Sequence, residues 1–534
     1  MAQGVNNRAH MTSSYRSPVI SVGSLALGGD NPIRIQSMTN TDTNDTNAST
    51  EQCIRIIEAG ADLVRLTAQG VKEAENLKNI KKKLRKAGFD TPLIADIHFT
   101  PAAAETAARI VEKIRINPGN YADKKTKSTR ANNLPDKEYD LELERIHERL
   151  LPLINICREN GTVIRLGINH GSLSDRIINR HGNTPTGIVV SAIEFIKIFL
   201  SENFSNLVIS VKSSNTGILV ESNRLLVNML QKFGLSYPIH LGVTEAGEGE
   251  DGRIRSAAGI GTLLAEGIGD TIRVSLSENP ENEIPVAKEI VRFLCGSKGR
   301  ITHPLEQVPF LNRTSLYKPE VITYNNGRYF KEDNTSYQGN MLIFNHRTPP
   351  LLTGKEKGNI ILNPVFSEDD PERLAINSAT LLGRYFILKL ADGLCITNSG
   401  KIQGDKLKDL AFSILQATEA RITRNKYISC PTCGRTKFNL QDAVRKVKEA
   451  TAHLTGLKIA IMGCVVNGPG EMAGSDYGYV GAAKGKVHIY RGQTPVLKNV
   501  PEEDAINELL RIINEDGQAG NQSVSSEDQP SQLQ

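Results

Sequence analysis

Much that would narrow the possibilities quickly is scarce in this chain of 534 residues. No apolar run approaches the ~20 residues needed to span a bilayer, so no membrane association is expected. Net charge is only +5 and spread thinly, which without a local basic patch leaves no footprint for nucleic acid. Cysteine is sparse and odd in number, seven over the whole length; that excludes a disulfide framework and favours a reducing compartment. The opening stretch MAQGVNNRAHMTSSYRS lacks the apolar centre of a signal peptide and is short for a transit peptide. A cytoplasmic protein with a flexible leader over residues 1–16 is therefore expected. The end, from Asp516 to residue 534, has the composition of a disordered tail.

What is present is an ordinary globular balance, 39% apolar and 23% charged, in a chain long enough for two or three domains. Eight short apolar runs punctuate the first 300 residues: IRIQSM (33–38), DLVRLT (62–67), PLIADI (92–97), KIRINP (113–118), VIRLGI (163–168), NLVISVK (206–212), IHLGVT (239–244) and DTIRVSL (270–276). Each is followed by a helical pattern. Strand–helix alternation means a parallel sheet covered by helices, and eight such units fit a (β/α)8 TIM-type barrel; an open doubly wound sheet is the alternative. After the first run, Ser49 and Gln52 have the spacing of a capping box for the helix that follows.

Within these runs an arginine recurs between apolar neighbours, at Arg34, Arg65, Arg115, Arg165 and Arg273, and Lys212 ends another run. A guanidinium inside a strand is largely desolvated and needs a partner. Internal ion pairs are the plain explanation, yet acids near the strand ends are few, chiefly Asp96, Glu245 and Asp270. The deficit points to a phosphate-bearing ligand, which suits arginine's planar fork. Asn117, Asn169, His170, Ser275, Asp96 and His98 gather at the same ends. The segment GEGEDG (247–252) matches a dinucleotide fingerprint, but Glu248, Glu250 and Asp251 would repel a pyrophosphate, which argues against nicotinamide binding.

Four cysteines, Cys53, Cys157, Cys295 and Cys395, stand alone in apolar surroundings and read as small buried hydrophobes. The other three do not. Cys430 and Cys433 form a C-x-x-C pair in YISCPTCGR, and Cys464 lies in IAIMGCVVNGPGE, where Glu471 closes the loop. No fourth cysteine follows, and His453 and His488 have no zinc-ribbon spacing. Three thiolates with a carboxylate suit a [4Fe–4S] cluster with one labile corner; a structural zinc in a mixed sphere is the alternative. The C-x3-C-x2-C pattern of radical chemistry is absent.

Taken in order, QSMTNTDTNDTNAST, PLIADIHF, KIRINPGN, RLGINHGS, HLGVTEAG, GDTIRVSLS, SCPTCGR and IMGCVVNGPGE resemble the 4-hydroxy-3-methylbut-2-enyl diphosphate synthases, iron–sulfur enzymes of the non-mevalonate isoprenoid pathway. The resemblance covers roughly residues 17–297 and 415–515. It implies an oxidoreductase that opens and reductively dehydroxylates 2-C-methyl-D-erythritol 2,4-cyclodiphosphate, with two electrons arriving singly from ferredoxin or flavodoxin. It also implies a barrel over 17–297 that binds substrate, and an α+β domain over 416–515 related to ferredoxin and nitrite reductase that carries the cluster. Cys430, Cys433, Cys464 and Glu471 match the family's cluster ligands. Arg65, Arg115, Arg165, Lys212, Arg273 and Ser275 would hold the diphosphate. Asp96, Asn117, Asn169 and Glu245 would meet the organic part, with Glu245 as candidate proton donor, and Asn467 would face the same pocket. Glu245 and Glu471 are the catalytic candidates.

Residues 298–415 form an insert that compact family members lack. YNNGRYFKEDNTSYQGN reads as a hairpin, GNIILNP as a strand and ERLAINSATLLGRYFILKLADG as a helix, together a middle α/β domain. Compact members close as head-to-tail dimers; an insert acting as a spacer would change the reach of the cluster domain, so a homodimer is one arrangement the resemblance allows. Rival readings are a zinc-stapled scaffold that binds a phosphorylated ligand, or another cluster-dependent reductase of a phosphorylated polyol.

Overall fold

The structure is a computed structural model that describes residues 15–97, 99–121, 135–301, 304–313, 317–433, 436, 438–465 and 468–525, without the side chains of 518–525. Eight parallel strands form the first sheet: β1 (Arg34–Met38), β2 (Leu63–Ala68), β3 (Leu93–Ile97), β4 (Lys113–Ile116), β5 (Val163–Asn169), β6 (Leu207–Lys212), β7 (His240–Leu241) and β8 (Thr271–Ile272). Their order is β6-β5-β4-β3-β2-β1-β8-β7, and a bridge from Ile209 to Ile239 joins the two ends. Sequence neighbours pair all the way round and the ends meet, so the sheet is a barrel and the open alternative falls. A hairpin of Ile20–Val22 and Leu25–Leu27 plugs the N-terminal end, where Val22 and Leu27 pack against Leu63, Ile94, Val163 and Val208. That leaves the C-terminal mouth as the open face.

Three local expectations change. The first helix spans Thr46–Glu58 and is capped by Asp45, which accepts from the Asn47 and Ala48 amides. Ser49 and Gln52 are thus inside the helix and form no capping box. Gln52 instead accepts from the Asn40 and Thr41 amides and pins the loop after β1. At the end of the expected leader, Tyr15 is buried with its hydroxyl donating to the Tyr237 carbonyl at 2.6 Å. The last helix, Ala505–Ser525, runs beyond Asp516 into the stretch read as disordered. Asp516 accepts there from Tyr477 and Arg491, which carries the helix past the boundary that composition suggested.

In the insert, the hairpin pairs Thr323–Asn325 with Arg328–Phe330 around Asn326-Gly327, both at positive φ, the turn that Asn-Gly favours. A small parallel sheet follows, built on Ile361–Phe366 with Met341–Asn345 on one side and Gly393–Leu394 on the other. Helix Pro371–Ile387 lies between this sheet and the barrel helix Gly249–Ala265. The two helices touch closely: a Cβ on Gly383 would stand 2.6 Å from the Ala258 carbonyl oxygen. Beside that contact Glu266, fully buried, takes Arg224 of the barrel at 2.8 Å and Arg384 of the insert at 3.5 Å. Glu266→Ala leaves two guanidiniums buried without a counter-charge, and a loss of about 3–5 kcal/mol is expected in urea unfolding.

The C-terminal sheet runs Lys426–Ser429, Lys458–Met462, Tyr477–Ala483, Lys486–Arg491, Thr494–Pro501, with the first three strands parallel and the last two antiparallel. Helices Leu440–Thr451 and Ala505–Ser525 cover one face through Val444, Val447, Leu509 and Ile512, packed on Ile459, Ile461 and Tyr479. Among the described residues, no helix is long and apolar enough to cross a membrane.

Candidate functional site

Inward-facing residues near the C-terminal ends of the barrel strands form the floor of a cleft of about 100 Å³. Met38, Arg65, Asp96, Arg115, Arg165, Asn169, Lys212, Thr244, Glu245, Arg273 and Ser275 line it from the barrel. Cys430, Cys433, Met462, Cys464, Gly468 and Glu471 line it from the C-terminal sheet of the same chain. The thiols converge because Lys426–Ser429 and Lys458–Met462 are adjacent parallel strands, so the loops leaving their ends start side by side. Cys430 donates its amide toward the Ile461 carbonyl, and its Sγ accepts from the Gly463 amide at 3.2 Å.

The roof sits on the barrel through named contacts. Asn169 donates to Glu471 at 2.8 Å, Asn40 donates to Thr432 at 2.8 Å, and the Ser277 and Ser429 hydroxyls meet at 2.7 Å. The short helix Gly468–Glu471 lies backbone to backbone on Gly171, where a Cβ on Gly470 would stand 1.6 Å from the Gly171 carbonyl oxygen. Only glycine fits either position, which is the physical content of the GPG and HGS segments.

The floor is electrostatically lopsided. Five cations line the cleft (Arg65, Arg115, Arg165, Lys212, Arg273) against three carboxyls (Asp96, Glu245, Glu471). Asp96 takes Arg115 at 3.3 Å. Arg273 is held by Glu283 at 3.0 Å, a partner the sequence reading missed because Glu283 sits on helix Glu283–Cys295 and not at a strand end. Arg34 turns to Asp62 at 3.5 Å, and Asp270 binds Ser17 and Arg300, so both belong to the opposite end of the barrel. Met38 lies between two guanidiniums, its Sδ 2.8 Å from Arg65 and 3.5 Å from Arg273. Nothing in its apolar run marks it for that position.

Arg165 and Lys212 remain. Burial, then neighbouring guanidiniums, push both far below their ordinary pKa ranges, with Arg65 first for Arg165 and Arg165 first for Lys212. The Arg165 Nε has no hydrogen-bond partner among the described residues. One layer deeper Lys113 is fully buried, its Nζ also without a partner, and burial followed by Arg165 lowers its pKa strongly. Such a cluster is electrostatically unfavourable until an anion enters it.

At the roof, burial and the facing Glu471 push Glu245 well above the usual carboxyl range. Burial likewise raises Glu471, against the hydrogen bonds from Glu245 and Asn169 that lower it. Glu245 holds φ at +49°, a left-handed backbone that costs a non-glycine residue roughly 1–2 kcal/mol. Burial, then the Cys433 thiol, pushes Cys430 well above the usual thiol range. Thiols crowded in this way ionise when a metal supplies positive charge. Among the described residues no three His, Cys, Asp or Glu side chains gather closely enough for a single metal ion. Cys430, Cys433 and Cys464 nevertheless line one cleft together with Glu471.

Most of the expected site residues therefore meet. Asn117 does not line the cleft: it is buried, donates to the Ser172 hydroxyl at 2.8 Å and accepts from the Gly119 amide, holding the turn after β4. His170 contacts the Asn183 carbonyl and Ser213, beside the cleft and not in its wall. His98 and Asn467 lie outside the described residues. Cys53, Cys157, Cys295 and Cys395 are buried away from the site.

Fold and cleft together define a (β/α)8 barrel protein with a cation-lined mouth, covered by a thiol-bearing domain of the same chain. Its sequence places it further. The GcpE TIM-barrel domain matches residues 17–288 and the GcpE protein C-terminal domain matches residues 426–515. The chain belongs to the GcpE family. Relatives from Bacteroides thetaiotaomicron, Parabacteroides distasonis and Phocaeicola vulgatus are 42%, 42% and 41% identical. The matches cover 93%, 94% and 95% of this chain and 97%, 98% and 98% of theirs. All three are named 4-hydroxy-3-methylbut-2-en-1-yl diphosphate synthase (flavodoxin). The first alignment runs over 595 positions, more than the 534 residues here, so that relative carries stretches this chain lacks.

Proposed function

We infer that this chain converts 2-C-methyl-D-erythritol 2,4-cyclodiphosphate to (E)-4-hydroxy-3-methylbut-2-enyl diphosphate by ring opening and reductive dehydroxylation, as an oxidoreductase fed by flavodoxin. The observation that carries this reading is the meeting of an unbalanced cation floor with three thiols and a carboxylate in one cleft. Arg65, Arg115, Arg165, Lys212 and Arg273, with Ser275, hold the diphosphate. The barrel strands hold these side chains around the cleft before the substrate arrives, so little reorganisation is needed at the moment of reaction.

Cys430, Cys433, Cys464 and Glu471 would hold a [4Fe–4S] cluster, which when bound supplies the electrons one at a time. Asp96 keeps Arg115 aimed into the cleft and Glu283 does the same for Arg273. Asn169 orients Glu471. Glu245, kept protonated by burial and by Glu471, delivers the proton the departing hydroxyl needs. Seating the roof on the floor excludes water from the reacting atoms.

Because floor and roof belong to one chain, the insert serves as the spacer that lets the C-terminal domain cover its own barrel, docked through Glu266 and the helix contact at Gly383. The deciding experiment is anaerobic purification with iron and sulfide analysis, then an electron paramagnetic resonance spectrum of the reduced protein with and without the cyclodiphosphate. Near four irons per chain and a signal that changes with substrate support the reading. Zinc in place of iron, or a spectrum indifferent to substrate, refutes it.

A further inference from the structure

The loop after β7 carries Glu245 in a backbone conformation that persists only where its surroundings over-determine it. Its neighbour Ala246 pairs with Ser429 of the C-terminal sheet as an isolated parallel bridge. Gly247 accepts from the Ser277 amide at 2.9 Å, and Glu248 pairs with Lys448 across the same seam at 3.2 Å. At the centre is Arg255, on the barrel helix Gly249–Ala265 and only 4% exposed. Its Nη1 lies 3.5 Å from the Glu245 carbonyl oxygen, 3.0 Å from that of Ala246 and 3.2 Å from that of Tyr427. Tyr427 is on the strand that ends next to Cys430. One guanidinium nitrogen therefore touches the backbone that bears Glu245 and the backbone that leads to the thiols.

We propose that Arg255 is a positioning residue that makes the placement of the Glu245 carboxyl conditional on the thiol-bearing domain being seated. This rests on the reading of Glu245 as a group that meets the substrate. When Tyr427 and Ser429 are in place, Arg255 and the bridge to Ala246 together compensate the left-handed turn at Glu245. When the domain lifts, the Tyr427 acceptor and the bridge leave together, and the turn relaxes to ordinary backbone. The proton donor is then aligned only when the cleft is closed, so protonation is confined to the state in which electrons can also arrive.

The test uses the full-length holoenzyme with Arg255→Met and Arg255→Lys. Arg255→Met is expected to lower kcat at least tenfold with KM for the cyclodiphosphate little changed, because the cation floor is untouched. Hydrogen exchange in segments 243–248 and 427–430 should quicken, while iron content stays at the parent value. Arg255→Lys, which still offers donors to carbonyls, should recover part of kcat and of the protection. In a Glu245→Gln background, Arg255→Met should slow turnover little further. An equal fall of kcat and 1/KM without faster exchange, or a full multiplicative loss in the double variant, would overturn the role of Arg255 alone. Glu245→Gln turning over at the parent rate would overturn the reading of Glu245 and this proposal with it.

Discussion

Arg165→Met is expected to weaken binding of the cyclodiphosphate about 10- to 100-fold, the equivalent of the 1.5–3 kcal/mol typical of hydrogen bonds to a charged group, and at the same time to raise stability. Both effects have one origin. Arg165 is 1% exposed, its Nε lacks a partner among the described residues, and Arg65, Arg115 and Arg273 act on it with like charge against the single carboxylate of Asp96. Empty, the floor holds that charge at a cost; filled by a diphosphate, it is paired. Lys113→Met separates the two effects, since Lys113 is buried beneath the floor and absent from the cleft wall. It should raise stability while leaving affinity little changed.

The pH dependence gives the sign independently. The native Lys113 amine holds its proton less tightly than the unfolded chain's, whose pKa is about 10.4. Unfolding therefore takes up a proton, and native stability rises with pH across the window between the two values. The penalty is absent above the upper value and complete below the native one. Met at 113 should make the rise of the urea midpoint between pH 7 and pH 9 shallower, with Lys212 keeping part of it. Calorimetry for binding and urea titration for stability decide the matter. An Arg165→Met protein that loses both affinity and stability would show that the guanidinium is already paired within the fold.

This unfavourable floor was visible in sequence because it breaks a local rule: strands that enter a barrel core should not carry an arginine between apolar neighbours. The eight runs were legible for the complementary reason, that strand length and the helical pattern between them are local properties. What was not legible depends on contacts far along the chain. Glu283 meets Arg273 only because the helix after β8 returns across the mouth. Met38 reads as core until Arg65 and Arg273 close on it. The latch of Ser277 on Ser429 joins residues separated by 152 positions. Asn117 belongs with these: its place at a strand end suggested the cleft, while a hydrogen bond to Ser172, 55 positions further on, holds it in the turn after β4. Ser49 and Gln52 had capping-box spacing, but Asp45 lies nearer the turn and takes the free amides first.

Cys464→Ala and Glu471→Gln should fail differently, and the difference tests the donor set. Removing one of three thiolates leaves too few strong ligands for a cluster, so Cys464→Ala is expected to purify with little iron and essentially no turnover. The barrel half of the cleft does not depend on Cys464, and its cations should still bind the cyclodiphosphate. Glu471→Gln keeps all three thiols and the Gly468–Glu471 helix, and Gln can still accept from Asn169. Iron content should therefore stay near that of the parent, because a carboxylate is the harder and weaker donor in a thiolate set. Turnover should nevertheless fall by about 100-fold or more, in the range of a lost acid–base contribution. Glu471 faces Glu245, and its carboxylate charge helps hold Glu245 protonated; a neutral amide releases that constraint, so the proton donor ionises at lower pH. The pH profile of the residual activity should lose its alkaline limb earlier than the parent's. Iron loss in Glu471→Gln as complete as in Cys464→Ala would make the carboxylate an equal structural ligand and remove its link to the proton donor.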